Sequence, residues 1–212
     1  MVSIERRNPL GDWSERFLRA SRAAGTFSIR EIAFPAQIDL RGSPADIEFA
    51  IGVASALRLF GLPNAANTWS GSAECGALWL GPDECLIVDT AGEEAQLEAR
   101  LRKALDGIVC SIVDVSASRS IIEISGTDAR LVLAKGCSLD LHASAFRVPQ
   151  VAQSLLAKAQ VILQIVEDRP TFRLFVRNSF APYLAEWLLD AVAECAAARD
   201  AGLTSAAPRM ET

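Results

Sequence analysis

The amino-acid sequence predicts an α+β fold in which one β-α-β-β-α unit is written twice, its antiparallel sheets covered by helices, and three observations carry that reading. Superposing Gly42 on Gly126 lays Ile38 on Ile122, Leu40 on Ile124, Ser43 on Thr127 and Ala45 on Ala129, and continues to Ile47 on Leu131, Ala50 on Ala134 and Gly52 on Gly136. Each half then holds short apolar runs joined by turn chemistry, Gly81-Pro82-Asp83-Glu84 in one and Glu167-Asp168-Arg169-Pro170 in the other, and Leu86 and Val88 fall on Leu174 and Val176 after a short insertion. Finally Leu97 and Leu101 correspond to Leu184 and Leu188 at the spacing of a helix face. Completed by a strand borrowed from its neighbour, each unit is of the split β-α-β, ferredoxin-like kind. The half-repeats fall at 27–107 and 108–198 of one domain spanning 27–198, with an N-terminal arm over 1–26 and a tail over 199–212 expected to be disordered.

In the arm, Trp13 and Phe17 have helical spacing, and a helix that short needs a surface to lie on. That surface is either its own domain or another chain. From 27 to 41 apolar residues alternate with polar ones, and Pro35 breaks the run into two short strands or one broken edge strand. Ser43-Pro44-Ala45-Asp46 reads as a helix start capped by Ser43, with Ile47, Ala50, Ile51, Ala54 and Leu57 turned inward. Residues 61–76 read as a polar loop and 77–88 as a hairpin. The 93–105 segment is an amphipathic helix with acids first and bases last, as the helix dipole prefers. Strands follow at 108–115 and 119–124, then a helix capped from Ser125 or Thr127 and closed by Gly136. Residues 155–166 read as one long strand whose first part also suits a helix, 171–176 as another strand, and Ser179 caps the last helix.

Composition excludes several functions. A net charge of −5 over 212 residues provides no cationic field for nucleic acid. No apolar run approaches the roughly 20 residues needed to cross a bilayer, and no signal-peptide pattern opens the chain, so a cytoplasmic protein without membrane contact is expected. The five cysteines form no CxxC pair and are read as reduced; with His142 as the single histidine, no metal site is expected. There is no glycine-rich phosphate loop and no GxSxG elbow.

Three places could hold chemistry. Asp114, Ser116 and Arg119 stand between two strands and could build a small site, but such short polar links usually satisfy backbone groups. On that simpler reading Arg119 pairs with an acid nearby or on a partner. Lys135-Gly136-Cys137 places a thiol beside a cation, yet at the helix end where the dipole opposes a thiolate. His142 lies in a loop and reads as solvated or locally hydrogen-bonded. Trp13, Trp69, Trp79 and Trp187 are candidate interface anchors or core. No catalytic, cofactor-binding or metal-binding residue is assigned.

Taken in order, Trp79-Leu80-Gly81-Pro82-Asp83-Glu84, Asp114-Val115-Ser116 with Arg119, Ile124-Ser125-Gly126, Lys135-Gly136-Cys137 with Asp140-Leu141, Thr171-Phe172-Arg173-Leu174, and Ser179-Phe180-Ala181 with Tyr183-Leu184 and Trp187-Leu188 resemble the gamma subunit of heterotetrameric sarcosine oxidase. The resemblance runs from about Ile29 to Glu194, with Cys85 standing where that family has a second tryptophan. The family in turn resembles the folate-binding domain of glycine-cleavage aminomethyltransferases. The resemblance implies a structural subunit of a complex that demethylates sarcosine to glycine, passing the one-carbon unit to tetrahydrofolate or releasing formaldehyde. It also implies docking mainly on an alpha subunit, with beta and delta subunits, and FAD, FMN, NAD and zinc held on those other chains. Competing readings are a free-standing folate-binding aminomethyltransferase-like protein, and a gamma-like subunit acting with another N-methyl amine dehydrogenase, for example one for N-methylglutamate.

Overall fold

In the computed structural model, residues 7–89, 93–167 and 169–201 are described. The expected tail beyond 201, the first six residues of the arm and Asp168 of the second turn lie outside them. The elements run α1 (Ser14–Ala24), β1 (Ser28–Ile32), β2 (Ala36–Arg41), α2 (Ile47–Leu57), β3 (Trp69–Gly71), β4 (Cys75–Gly81), β5 (Glu84–Asp89) and α3 (Glu94–Ala104). The second half continues with β6 (Ser111–Asp114), β7 (Arg119–Ser125), α4 (Ala129–Ala134), β8 (Val151–Leu156), β9 (Ala159–Glu167), β10 (Thr171–Arg177) and α5 (Ala181–Asp200).

Two five-stranded sheets result, in the orders β1-β7-β10-β9-β8 and β3-β4-β5-β2-β6, and every pairing is antiparallel. Each contains the ferredoxin-like arrangement plus one added edge strand. The borrowing is mutual. β6 leaves the second half to pair with β2, Leu40 opposite Ile112, and β1 leaves the first half to pair with β7, Ile29 opposite Ile124.

The sheets stack face to face with helices outside, giving four layers. On the outer face of the first sheet, Ile122, Ile124, Phe172 and Leu174 pack against Phe17 of α1, Val132 and Leu133 of α4 and Leu184 and Leu188 of α5. On the outer face of the second, Ile38, Leu40 and Ile87 meet Phe49 and Val53 of α2 and Leu97 and Leu101 of α3. Between the sheets lies a smaller core of Trp69, Leu78, Leu86, Ile121, Ile162 and Phe175. The edges add polar ties, with Trp69 Nε1 donating to Ile165 O at 2.8 Å and Gln153 Nε2 to Leu80 O at 2.8 Å.

Several expectations are corrected. The α2 cap is Asp46, whose carboxylate accepts from the Glu48 and Phe49 amides; Ser43-Pro44-Ala45 instead closes a turn, Asp46 N donating to Ser43 O. Its inward face is Phe49, Val53, Ala56 and Leu57, while Ile47 and Ile51 are 72% and 64% exposed. The α2 sequence is apolar all round, so periodicity alone left the buried side undetermined. The stretch read as one strand over 155–166 is the β8–β9 hairpin, reversed at Ala157 with φ +52°. The 61–76 loop contains β3. No side-chain cap bond forms at α4, where Asp128 stands at the cap position and accepts from Thr26 Oγ1 at 2.6 Å. Gly126 has φ +113°, and a Cβ there would lie 2.1 Å from Thr26 O, so the turn between β7 and α4 requires glycine twice over.

Candidate functional site

The link from β6 to β7 carries the chain from one sheet to the other, and its polar side chains are absorbed in that task. Ser116 Oγ donates to Asp114 Oδ1 at 2.6 Å and accepts from Gln37 N at 2.9 Å, while Asp114 Oδ1 also accepts from Ser116 N at 2.9 Å. Gln37, fully buried, donates through Nε2 to Arg119 O at 2.9 Å. Asn178 holds the link from the other side, Nδ2 donating to Ala117 O at 2.7 Å. Asp114 and Ser116 thus do backbone work. Gln37 and Asn178 have equal parts in the knot and carry no local sequence signal, because only the meeting of β2, β7 and the end of β10 brings them there.

Of the two pairings expected for it, Arg119 does not make the one with a nearby acid among the described residues. Its side chain points along the inner face of the first sheet, where antiparallel register sets it directly opposite Arg177. Among the described residues neither guanidinium forms an ion pair or a hydrogen bond. Half-burial and the Arg177 charge lower the Arg119 pKa, against the smaller attraction of Asp39 and Glu84. Those two acids are turned to Arg41, at 3.7 Å and 2.9 Å. Arg177 went unnoticed in the sequence, although strand order places the start of β7 beside the end of β10.

At the opposite end of the same face a charged row is complete. Arg30, Glu123 and Arg173 are aligned across β1, β7 and β10. Glu123 accepts from Arg30 Nε at 2.8 Å and Arg173 Nε at 3.0 Å, and Arg173 also reaches Ala73 O in the turn between β3 and β4. Glu123 and Arg173 are buried.

The remaining candidates are locally satisfied. His142 is exposed, with Nδ1 2.8 Å from Ser144 Oγ and its amide donating to Asp140 Oδ1. Cys137 is buried, 3.9 Å from Ser154 Oγ. Lys135 donates to Glu194 at 2.7 Å. Burial raises the Cys75 thiol and pushes that of Cys85 up to about 11, so both are thiols rather than thiolates at neutral pH. Trp69 is buried and Trp13 and Trp187 pack against the first core; Trp79 is half-buried, across from Cys85. Among the described residues no group of three His, Cys, Asp or Glu is placed to hold a metal ion. No helix among them is long and apolar enough to cross a membrane.

The fold, two stacked sheets each with its covering helices, is shared with an aminomethyltransferase structure. The solved glycine cleavage system aminomethyltransferase T from Bartonella henselae matches with a TM-score of 0.57 at 19% identity, covering 80% of this chain and 48% of that one. Sequence narrows the assignment. The family described as "Sarcosine oxidase, gamma subunit family" matches residues 41–194. Sarcosine oxidase subunit gamma from Corynebacterium sp. (strain P-1) is 40% identical over 90% of this chain and 92% of its own length; that of Arthrobacter sp. is 38% identical over the same shares. A chain of the heterotetrameric sarcosine oxidase from Corynebacterium sp. U-96, solved in complex with pyrrole 2-carboxylate, matches with a TM-score of 0.79 at 30% identity, covering 95% of this chain and 98% of that one. The chain belongs to the sarcosine oxidase gamma subunit family.

Proposed function

We propose that this chain is a structural subunit of a heterotetrameric sarcosine oxidase, the assembly that oxidatively demethylates sarcosine to glycine, and that it supplies no catalytic residue itself. The observation that carries this reading is the end-to-end match to a chain of the Corynebacterium heterotetramer. The polar side chains of the β6–β7 link support it, being engaged with backbone groups. Exposed apolar side chains support it too: Ile47 and Ile51 on α2, with Phe60 and Val109 in loops, offer surface that a neighbouring subunit can cover. In this reading the alpha subunit is the main neighbour, with beta and delta completing the assembly. FAD, FMN, NAD and zinc reside on those chains.

Co-expression of the tagged chain with the products of its neighbouring genes tests the proposal. Capture of a large partner with flavin absorbance is expected, weakened by Ile51→Glu. Recovery of a stable, partner-free and colourless monomer would overturn it.

A further inference from the structure

We infer that Arg119 and Arg177 form a binding site for a small organic anion, a carboxylate or phosphate carried on a compact apolar body. The two residues face each other at the open end of the space between the sheets. Beside them is a recess of about 360 Å³, bordered by Gln160 and Leu155 and floored by Ile162 and Phe175 of the inter-sheet core. That volume is at the small end of ligand cavities, which are typically apolar with a few convergent polar groups.

The register explains the chemistry. One row of the inner face, Ile121, Phe175 and Ile162, is closed by the second sheet and belongs to the core. The next row outward begins with Arg119 and Arg177. No acidic side chain among the described residues lines the recess. Asp39 and Glu84 lie on the far side of the arginines, in the adjoining hollow and within reach of Arg41.

Like charges directly opposite in a sheet destabilise it, and this pair has no counter-charge at bonding distance within the described chain. An oxyanion seated between the guanidiniums removes the repulsion and accepts two sets of charge-assisted hydrogen bonds, a geometry to which arginine is suited. Gln160 borders the head group, and the exposed side chain of Leu155 offers the contact for the apolar body.

The full-length chain tests this with succinate and inorganic phosphate as probes, at constant ionic strength made up with chloride. The expected result is a saturable shift of the Arg119 and Arg177 Nε–Hε resonances, with a matching rise in Tm. Affinity falls about tenfold in Arg177→Gln, as loss of one charge-assisted contact implies, and binding disappears in the Arg119→Gln/Arg177→Gln double variant. Chloride producing the same shifts in the wild-type chain overturns the proposal without recourse to any variant. So does a double variant that still binds the probes. A double variant that no longer captures partner subunits, combined with a wild-type chain blind to both probes, also overturns it, and assigns the arginines to a partner's carboxylate. Failure of the subunit assignment leaves the anion titration untouched, so the two ideas fail separately.

Discussion

Arg173 and Arg177 point from one strand onto one face of one sheet, yet they are in different electrostatic situations. Arg173 is buried, and Glu123 meets it at 3.0 Å while the Ala73 carbonyl of the β3–β4 turn takes a second donor. Arg177 is exposed and meets another arginine. The difference follows from solvent. Buried Arg173 has lost its water and must find a protein partner, since an uncompensated buried ion costs several kcal/mol. At the open end water screens the repulsion, and two arginines can stand together at a cost of a few tenths of a kcal/mol to about 1 kcal/mol.

The comparison breaks most visibly at the buried pair. Glu123→Ala strands Arg173 and is expected to lower unfolding stability by about 3 kcal/mol or more, measured by urea denaturation. Glu123→Leu combined with Arg173→Met removes both charges and is expected to lose clearly less than the single change, because apolar replacement of a whole buried pair is often neutral. A smaller, pH-dependent effect belongs to Glu31, next to Arg30 in sequence. Burial raises its carboxyl to about 7 from an ordinary 4.5, although the Leu10 amide hydrogen bond opposes the rise. Between those values the folded chain holds a proton that the unfolded chain has released, so stability declines as pH rises from about 4.5 to about 7 and is level above. Thermal unfolding of Glu31→Gln across that window should show a flatter profile and a higher Tm than wild type at pH 8. The smallest effect is at the open end: Arg177→Gln is expected to raise stability by at most about 0.5 kcal/mol, more at low salt than at high.

Much of the fold was legible in the sequence because it is written twice. The Gly42–Gly126 alignment contains the strand, turn and helix of both copies, and even the exchange of strands was expected. What escaped has physical causes. The inward face of α2 could not be chosen while Ile47, Phe49, Ile51 and Val53 were all apolar. The β8–β9 turn rests on Ala157 in a conformation that favours glycine, so no turn residue announced it. Of the arginine pair, Arg119 stood out because it follows a polar link. Arg177 did not, since its partner lies 58 positions away (177 − 119) and only strand register unites them.

The mutual loan of β1 and β6 locks the two repeats together. The first sheet lacks an edge until Ser28 finds Ser125, and the second lacks one until Arg41 finds Ser111. Sheet closure therefore waits on long-range encounters, which slow folding. A ribosome must deliver most of the chain before either layer is finished. A cut in the 105–110 link between α3 and β6 would leave two fragments, each still holding a strand of the other's sheet, so nicked protein should stay together in a sizing column until denatured. The two repeats are links of one clasp.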